Sequence, residues 1–325
     1  MKVLVTGAAG FIGSNLSEYL LGKGYEVIGI DNFNTFYSPK IKEYNIKSFA
    51  AHKNFKLHRT DLLDISSLEK VFEQEADIDA IVHLAAWAGV TYSIENPIVY
   101  VRNNVEGTVN LLERAVKHKV SNFIFASTSS IYGDNPTPFN ESMSTDFPLA
   151  PYPATKKACE VMISTYTRNH GLNATIFRIF NPIGPKMRPD LALPKLIKSC
   201  LYGDEFPQYW KDGKETKRDY TYIKHMLDAV DCVLKEPFKY EFFNLGNSSP
   251  VYLDEIIQTV EKVVGKKANL KIMPNRKGEM IDTYADIDKA RSAINYNPTT
   301  TIEQTVQIYY DWFISQDDWY KKGHL

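Results

Sequence analysis

This sequence predicts a doubly wound α/β fold on a parallel sheet, and three observations predict it. Short, almost uninterrupted apolar runs recur through the first half of the chain. Segments with helical spacing of apolar residues separate them. A glycine trio, Gly7, Gly10 and Gly13, stands between the first run and the first helical segment. Apolar runs that do not alternate with polar residues mark strands buried on both faces, as in a parallel sheet covered by helices.

Taken in order, Val3-Leu4-Val5 is the first strand and leads into a helix carrying Leu16 and Leu20. Val27 to Ile30 is the second strand, Phe55 to Leu57 the third, Ile81 to Leu84 the fourth and Phe123 to Phe125 the fifth. Helical stretches near 66–75 and 98–118 lie between them, and a helix over 152–170 precedes a sixth strand, Asn173 to Arg178. After about residue 180 the rhythm weakens. Pro182, Pro185, Pro189 and Pro194 break the chain, and shorter elements with charged loops follow. A sheet domain over 1–180 and a smaller lobe over 181–325 are therefore expected. No Gly/Ser-rich linker separates the two, so they should share one cleft.

Bulk properties narrow the function. With 325 residues, 44% of them hydrophobic, the chain can bury a sizeable core. Its 38 basic and 39 acidic residues give a net charge of −1, and no field of one sign draws it to nucleic acid or an anionic membrane. No apolar run is long enough to span a bilayer, and the start lacks the pattern of a secretory signal. Cys159, Cys200 and Cys232 are far apart and form no CxxC pair, so reduced thiols in a cytoplasmic protein are expected, with no metal site.

The glycine trio sits where a dinucleotide-binding turn belongs. Glycines allow a tight turn and close backbone approach to a pyrophosphate, and the following helix aims unpaired N–H groups at it, with Phe11 and Ile12 in its first turn. The second strand ends in Asp31, followed by Asn32, where a carboxylate binds the two ribose hydroxyls of NAD and repels the extra phosphate of NADP. Asp61 and Leu62 follow the third strand, and Leu84, Ala85 and Ala86 the fourth. The aspartate suits the adenine amine, and the small residues let the cofactor approach the backbone. This is a Rossmann-type arrangement with NAD as the expected cofactor. His83 reads as a packed, hydrogen-bonded side chain.

The fifth strand ends in Ala126-Ser-Thr-Ser-Ser-Ile-Tyr132, and Tyr152-Pro-Ala-Thr-Lys156 opens the next helix. Residues four apart share a helix face, so the lysine ammonium should stand by the phenol and lower its pKa from about 10 towards neutrality. Such a tyrosine can take a proton from an alcohol as hydride leaves the same carbon, with Thr128 sharing the substrate oxygen.

On these residues the chain resembles the extended short-chain dehydrogenase/reductase family, in its NAD-dependent nucleotide-sugar epimerase branch, over Met1 to about Phe313. The resemblance implies a catalytic Thr128, Tyr152 and Lys156, the last two also touching the cofactor. Asn103, in Asn103-Asn-Val-Glu-Gly-Thr108, should do so too. Asn181, in Arg178-Ile-Phe-Asn-Pro-Ile-Gly184, should contact the sugar diphosphate. Arg218 should hold a phosphate, and Arg276 and Glu279 should grip phosphate and the uridine ribose. A homodimer through the helices near 98–118 and 152–170 is also implied.

Within the branch, Thr128-Ser129-Ser130 lacks the acidic residues that dehydratases and decarboxylases of the family carry there, which leaves epimerisation. Ala85-Ala-Trp-Ala-Gly-Val-Thr-Tyr-Ser93, Asp31-Asn-Phe-Asn-Thr-Phe-Tyr-Ser-Pro39 and Lys186-Met-Arg188-Pro-Asp190 resemble segments of UDP-glucuronate 4-epimerases. Arg188 would then hold the sugar carboxylate bidentately, with Ser129 and Ser130 assisting. Trp87, Thr91 and Asn181 depart from that group's pattern, and Asn181 matches UDP-glucose/UDP-galactose 4-epimerases instead. A neutral hexose or N-acetylhexosamine substrate therefore stays open at this point. So do a net oxidoreductase that releases NADH and an NAD-binding sensor or scaffold without catalysis.

Overall fold

The first strand, β1 (Lys2–Thr6), divides its side chains between two cores. Val3 and Val5 pack into one apolar cluster and Leu4 into another. The same division recurs in β2 (Glu26–Ile30), β4 (Ala80–His83) and β5 (Asn122–Thr128), where Val27, Val82 and Ile124 face one core and Ile28, Ile81 and Phe123 the other. A sheet covered on both faces leaves no polar side to these strands, hence their continuous apolar runs. Each fully buried Val, Leu or Ile contributes about 1.5–3 kcal/mol. The computed structural model describes residues 1–209, 216–273, 278 and 280–322.

With β3 (Phe55–His58), β6 (Asn173–Ile179) and β7 (Tyr240–Leu245), these strands form one seven-stranded parallel sheet in the order β7-β6-β5-β4-β1-β2-β3. Helices α1 (Phe11–Gly22), α2 (Pro39–Ile46), α3 (Ile65–Gln74), α4 (Gly107–Lys117) and α5 (Pro151–His170) occur among the crossovers. Pro151 starts α5, where its missing N–H costs nothing, and Gly171 ends it in the left-handed conformation at φ +72°. The chain winds outward in both directions from the gap between β1 and β4. This switch point is where an open α/β sheet accommodates a ligand.

Strand β7 comes from the second half of the chain. Residues 181–325, expected to form a smaller lobe sharing the cleft, also supply this edge strand, and Tyr240–Leu245 pairs in register with β6. Helix Ile223–Lys235 also buries Ile223, Met226, Val230 and Val233 in the main core. A chain boundary at residue 180 is thus not a boundary of the sheet. The strand was hidden because its first half is only partly buried, as suits an edge, and it lies among charged residues. The rest of the C-terminal half is built of short pairs, among them Pro182–Ile183 with Thr221–Tyr222 and Glu205–Tyr209 with Asn269–Met273. Among the described residues, no helix is long and apolar enough to cross a membrane.

Candidate active site

A cavity of about 740 Å³ opens at the carboxyl ends of the strands, within the range that holds a cofactor and a small ligand. Its floor is the turn after β1. Gly7 lies at φ +70°, donates to the Ile30 carbonyl at 2.7 Å and accepts from Gly10 N at 3.0 Å. A Cβ on Gly13 would stand 2.0 Å from the Gly7 oxygen, and one on Gly7 would stand 3.0 Å from Ala85 N across the switch point. Helix α1 starts at Phe11 with Gly10 as its cap and no side-chain hydrogen bond at that end. Its first N–H groups therefore have no side-chain acceptor, and Phe11, Ile12 and Gly13 line the cavity. This cradle fits a pyrophosphate.

Asp31 is buried beside it. Its Oδ2 accepts from Ala9 N at 3.1 Å and its Oδ1 from Phe33 N at 2.8 Å. Lys42, equally buried one turn into α2, places Nζ 3.5 Å from Oδ1. Burial pushes the Lys42 ammonium below its usual range, and Asp31 counteracts the shift. No sequence motif singled out Lys42. Asn32 donates to Asp61 Oδ2 at 2.8 Å, joining the ends of β2 and β3. Leu62, Leu84, Ala85, Ala86 and Asn103 line the same side of the cavity.

Asn103 rides on a π-helical turn, Val101–Glu106, just before α4, and donates to the Val99 carbonyl at 2.8 Å. Its neighbour Asn104 faces inward. It accepts from Trp87 N at 2.8 Å and donates to the Trp87 carbonyl at 3.0 Å and to Thr155 at 3.0 Å. The wide turn lets adjacent asparagines serve the cavity and the core. His83 is held between Thr6 and Thr108 at 2.7 and 2.9 Å. Burial depresses it to about 3, so it stays neutral.

Thr128, Tyr152 and Lys156, the trio expected to react, converge at the end of β5. The Thr128 hydroxyl lies beside the Tyr152 phenol, where it counteracts the upward shift of its pKa, and accepts from Ser130 N at 3.2 Å, capping the short turn that follows. Lys156 is buried beneath, donates to the Ala126 carbonyl at 2.8 Å and stands 4.6 Å from the Phe125 ring centre. Burial lowers its ammonium to about 8, with Cys159 and Glu160 pulling the other way.

The expectation that Lys156 lowers the Tyr152 pKa needs correction. Burial raises the phenol, and what opposes the rise is the Thr128 hydroxyl and the charge of Arg188. Lys156 points instead at the strand backbone.

The outer cavity carries the remaining residues. Buried Ser129 and half-buried Ser130 line it beside Thr128. Asn181 also lines it, at φ +26°, but its amide donates to Asp219 O at 2.9 Å and Thr283 Oγ1 at 3.1 Å. Arg188 is already in a bidentate pair, Nε to Asp190 Oδ1 at 3.0 Å and Nη2 to Oδ2 at 2.7 Å. Arg218 borders the cavity while donating to the carbonyls of Lys217, Met280 and Ile281. Arg276 and Glu279 lie outside the described residues.

An aromatic wall that sequence reasoning missed completes this end. Phe36 meets Trp87 and Tyr92 edge-on at 5.2 and 5.6 Å, Trp87 stacks on Tyr92 at 5.8 Å, and the Arg188 guanidinium sits 5.0 Å from the Phe36 ring centre. Trp87 was visible in the sequence only as a departure from a pattern. In space it braces the ring that carries Arg188.

Comparison with known proteins agrees with this geometry. The NAD dependent epimerase/dehydratase family model matches residues 3–246. The chain is similar to the UDP-glucuronate 4-epimerase of Thermodesulfobacterium geofontis, with 39% identity over 310 residues that cover 95% of each chain. It is also similar to the crystal structure of UDP-glucuronic acid 4-epimerase from Bacillus cereus in complex with UDP-glucuronic acid and NAD. That similarity has a TM-score of 0.89 at 36% identity and covers 96% of this chain and 98% of that one. The UDP-glucose 4-epimerase of Thermus thermophilus, in complex with NAD, gives a TM-score of 0.89 at 28% identity, covering 98% and 100%.

Proposed function

Because the chain belongs to the NAD dependent epimerase/dehydratase family, we propose that it interconverts UDP-glucuronate and UDP-galacturonate by inverting the sugar at C4. It is an isomerase, an NAD-dependent nucleotide-sugar 4-epimerase. One observation carries the reading. The Tyr152 phenol, with Thr128 and Arg188 beside it, borders the cavity whose floor is the Gly7–Gly13 cradle.

The cradle and α1 would hold the pyrophosphate of NAD, Asp31 and Lys42 the adenosine ribose, and Asp61 the adenine. The bound cofactor would supply the means to withdraw a hydride from C4 of the sugar and to return it to the opposite face. Tyr152 takes the proton of the C4 hydroxyl while the Thr128 hydroxyl holds that oxygen. The Thr128 hydroxyl and the charge of Arg188 favour the phenolate that this requires. The 4-keto sugar then turns, and Tyr152 gives the proton back to the same oxygen. Thr128-Ser129-Ser130 brings no carboxylate beside the ring, so elimination lacks a proton carrier there.

The lysine sets a pH dependence. Lys156 lines the cofactor side of the cavity, where its positive charge as an ammonium favours removal of hydride from the sugar, so kcat is expected to fall as pH rises through about 8. A kcat–pH profile that stays flat well above that value would remove Lys156 from this role.

Arg188 reads the substrate carboxylate, with Ser129 and Ser130 beside it. The Arg188→Ala variant is expected to lower kcat/KM for UDP-glucuronate at least about tenfold more than for UDP-glucose, the scale of one charge-assisted hydrogen bond. Equal losses on the two substrates would end the carboxylate role. The second reading, UDP-glucose/UDP-galactose epimerisation, draws on the Asp190 carboxylate that already fills the Arg188 fork. The deciding experiment supplies each nucleotide-sugar without added NAD and identifies products by NMR. UDP-galacturonate without carbon dioxide release supports the first reading, and turnover of UDP-glucose alone supports the second.

Two features support further aspects of the proposal. Exposed Ile98, Val101, Val161 and Met162, on the helical run before α4 and on α5, suit a homodimer through these helices, testable by light scattering. The free thiols Cys159, Cys200 and Cys232 suit the reducing cytoplasm.

A further inference from the structure

Three consecutive residues at the end of β5 each meet a different turn of α5. The Thr128 hydroxyl lies beside the Tyr152 phenol, the Ala126 carbonyl accepts from Lys156 at 2.8 Å, and Ser127 Oγ donates to Glu160 Oε1 at 2.6 Å. Tyr152, Lys156 and Glu160 recur at spacings of four and so run along one face of the helix. The third contact involves no group that touches substrate or cofactor in the mechanism above. Glu160 is 1% exposed and Ser127 4%. Arg178 closes the far side of the carboxylate, with Nε 3.3 Å from Oε1 and Nη2 3.0 Å from Oε2. Arg178 is also the register partner of Ser127 on β6, and its Nη1 donates to Tyr132 Oη at 3.0 Å.

A buried ion pair is a weak source of stability, because an apolar replacement of the same size often does as well. Its better-attested use is to specify register. Here the pair joins α5, β5 and β6 next to the three groups that must be aligned. We propose that Glu160, through Ser127 and Arg178, is a positioning residue that sets the register of α5 on β5 and thereby the alignment of Tyr152 with Thr128. The proposal rests on the 4-epimerase reading for its kinetic consequences. Register matters because a displacement of about 1 Å at reacting groups can cost a hundredfold in rate. The charge of Glu160, one turn beyond Lys156, also favours the ammonium.

The test uses full-length protein with its bound cofactor. Ser127→Ala removes the rung and keeps the Glu160–Arg178 pair, so the protein should fold. Its kcat is expected to drop about tenfold with KM and NAD content unchanged, and Ser127→Thr should restore most of the loss. Glu160→Gln should shift the alkaline limb of the kcat–pH profile to lower pH and lower the Lys156 titration followed by NMR in labelled protein. A crystal structure of Ser127→Ala needs no substrate and decides the register even if no nucleotide-sugar is turned over, an outcome that would sink the epimerase reading instead: Tyr152 displaced from Thr128 supports the positioning role, and an unmoved Tyr152 overturns it. If Glu160→Gln does not fold, Ser127→Ala alone decides. A Ser127→Ala variant with wild-type kcat and pH profile, changed only in melting temperature, would overturn the positioning role.

Discussion

Tyr152→Phe is expected to lower kcat by about a thousandfold and to leave the bound NAD in place. The substitution removes one oxygen and keeps the ring, which meets Tyr100 edge-on at 6.1 Å, so packing at the cavity wall should persist. What disappears is the only proton acceptor we assign to the C4 hydroxyl. Thr128 cannot substitute for it, since a hydroxyl bonded to Ser130 N has no means of becoming a base at neutral pH. The measurement pairs turnover with a count of NAD per chain, released by denaturation. Lost turnover with unchanged NAD marks the tyrosine as the proton carrier and removes the reading of the chain as a sensor or scaffold. Retained turnover would remove the proposed mechanism.

The second large effect is expected from Gly13→Ala. The new Cβ would stand 2.0 Å from the Gly7 oxygen, 2.7 Å from its carbonyl carbon and 2.9 Å from Ala8 Cα. All three contacts are backbone, so no side chain can rotate away, and the turn or the helix must shift. Overpacking of this kind costs about 1–3 kcal/mol, at the upper end where backbone is the obstacle. Both partners in the clash belong to the cradle, so NAD per purified chain is expected to fall towards zero while melting temperature drops by several degrees. Gly22→Ala is the control. That glycine ends the same helix with nothing within 4 Å of a built Cβ, and alanine there should be neutral or stabilising by about 0.5 kcal/mol. Equal NAD content in Gly13→Ala and Gly22→Ala would mean that the cradle does not seat the pyrophosphate.

The sheet and the cofactor turn were legible in the sequence because their signals are local. A strand buried on both faces must be apolar throughout, and Val3-Leu4-Val5 or Ile81-Val82 announces that within a few residues. Glycine at position 13 is demanded by backbone clearance within one turn, and glycine at position 7 by its positive φ. The spacing of Tyr152 and Lys156 puts them on one helix face whatever surrounds them.

Other features had no local signal. Strand β7 joins the sheet at the free edge of β6, and its own sequence, interrupted by Glu241 and Asn244, gives no continuous apolar run. Lys42 became a partner of Asp31 only when α2 folded back over the turn. Similarly, Trp87 stood out only as a departure from a pattern, and its place follows from Phe36, which lies against it. Glu160 passed as an ordinary helix residue, because its meaning comes from Ser127 and Arg178 on two neighbouring strands.

What the sequence by itself determined is the set of elements, the order in which they wind and the chemistry available at the strand ends. Those follow from periodicity, glycine sterics and side-chain type, which act over a few residues. Tertiary structure alone decided which charges neutralise each other, which cation faces the Tyr152 phenol and which contacts hold the catalytic helix in register. Such pairings depend on distances of a few ångströms between residues brought together only by strand order, and burial then sets the strength and direction of each electrostatic effect.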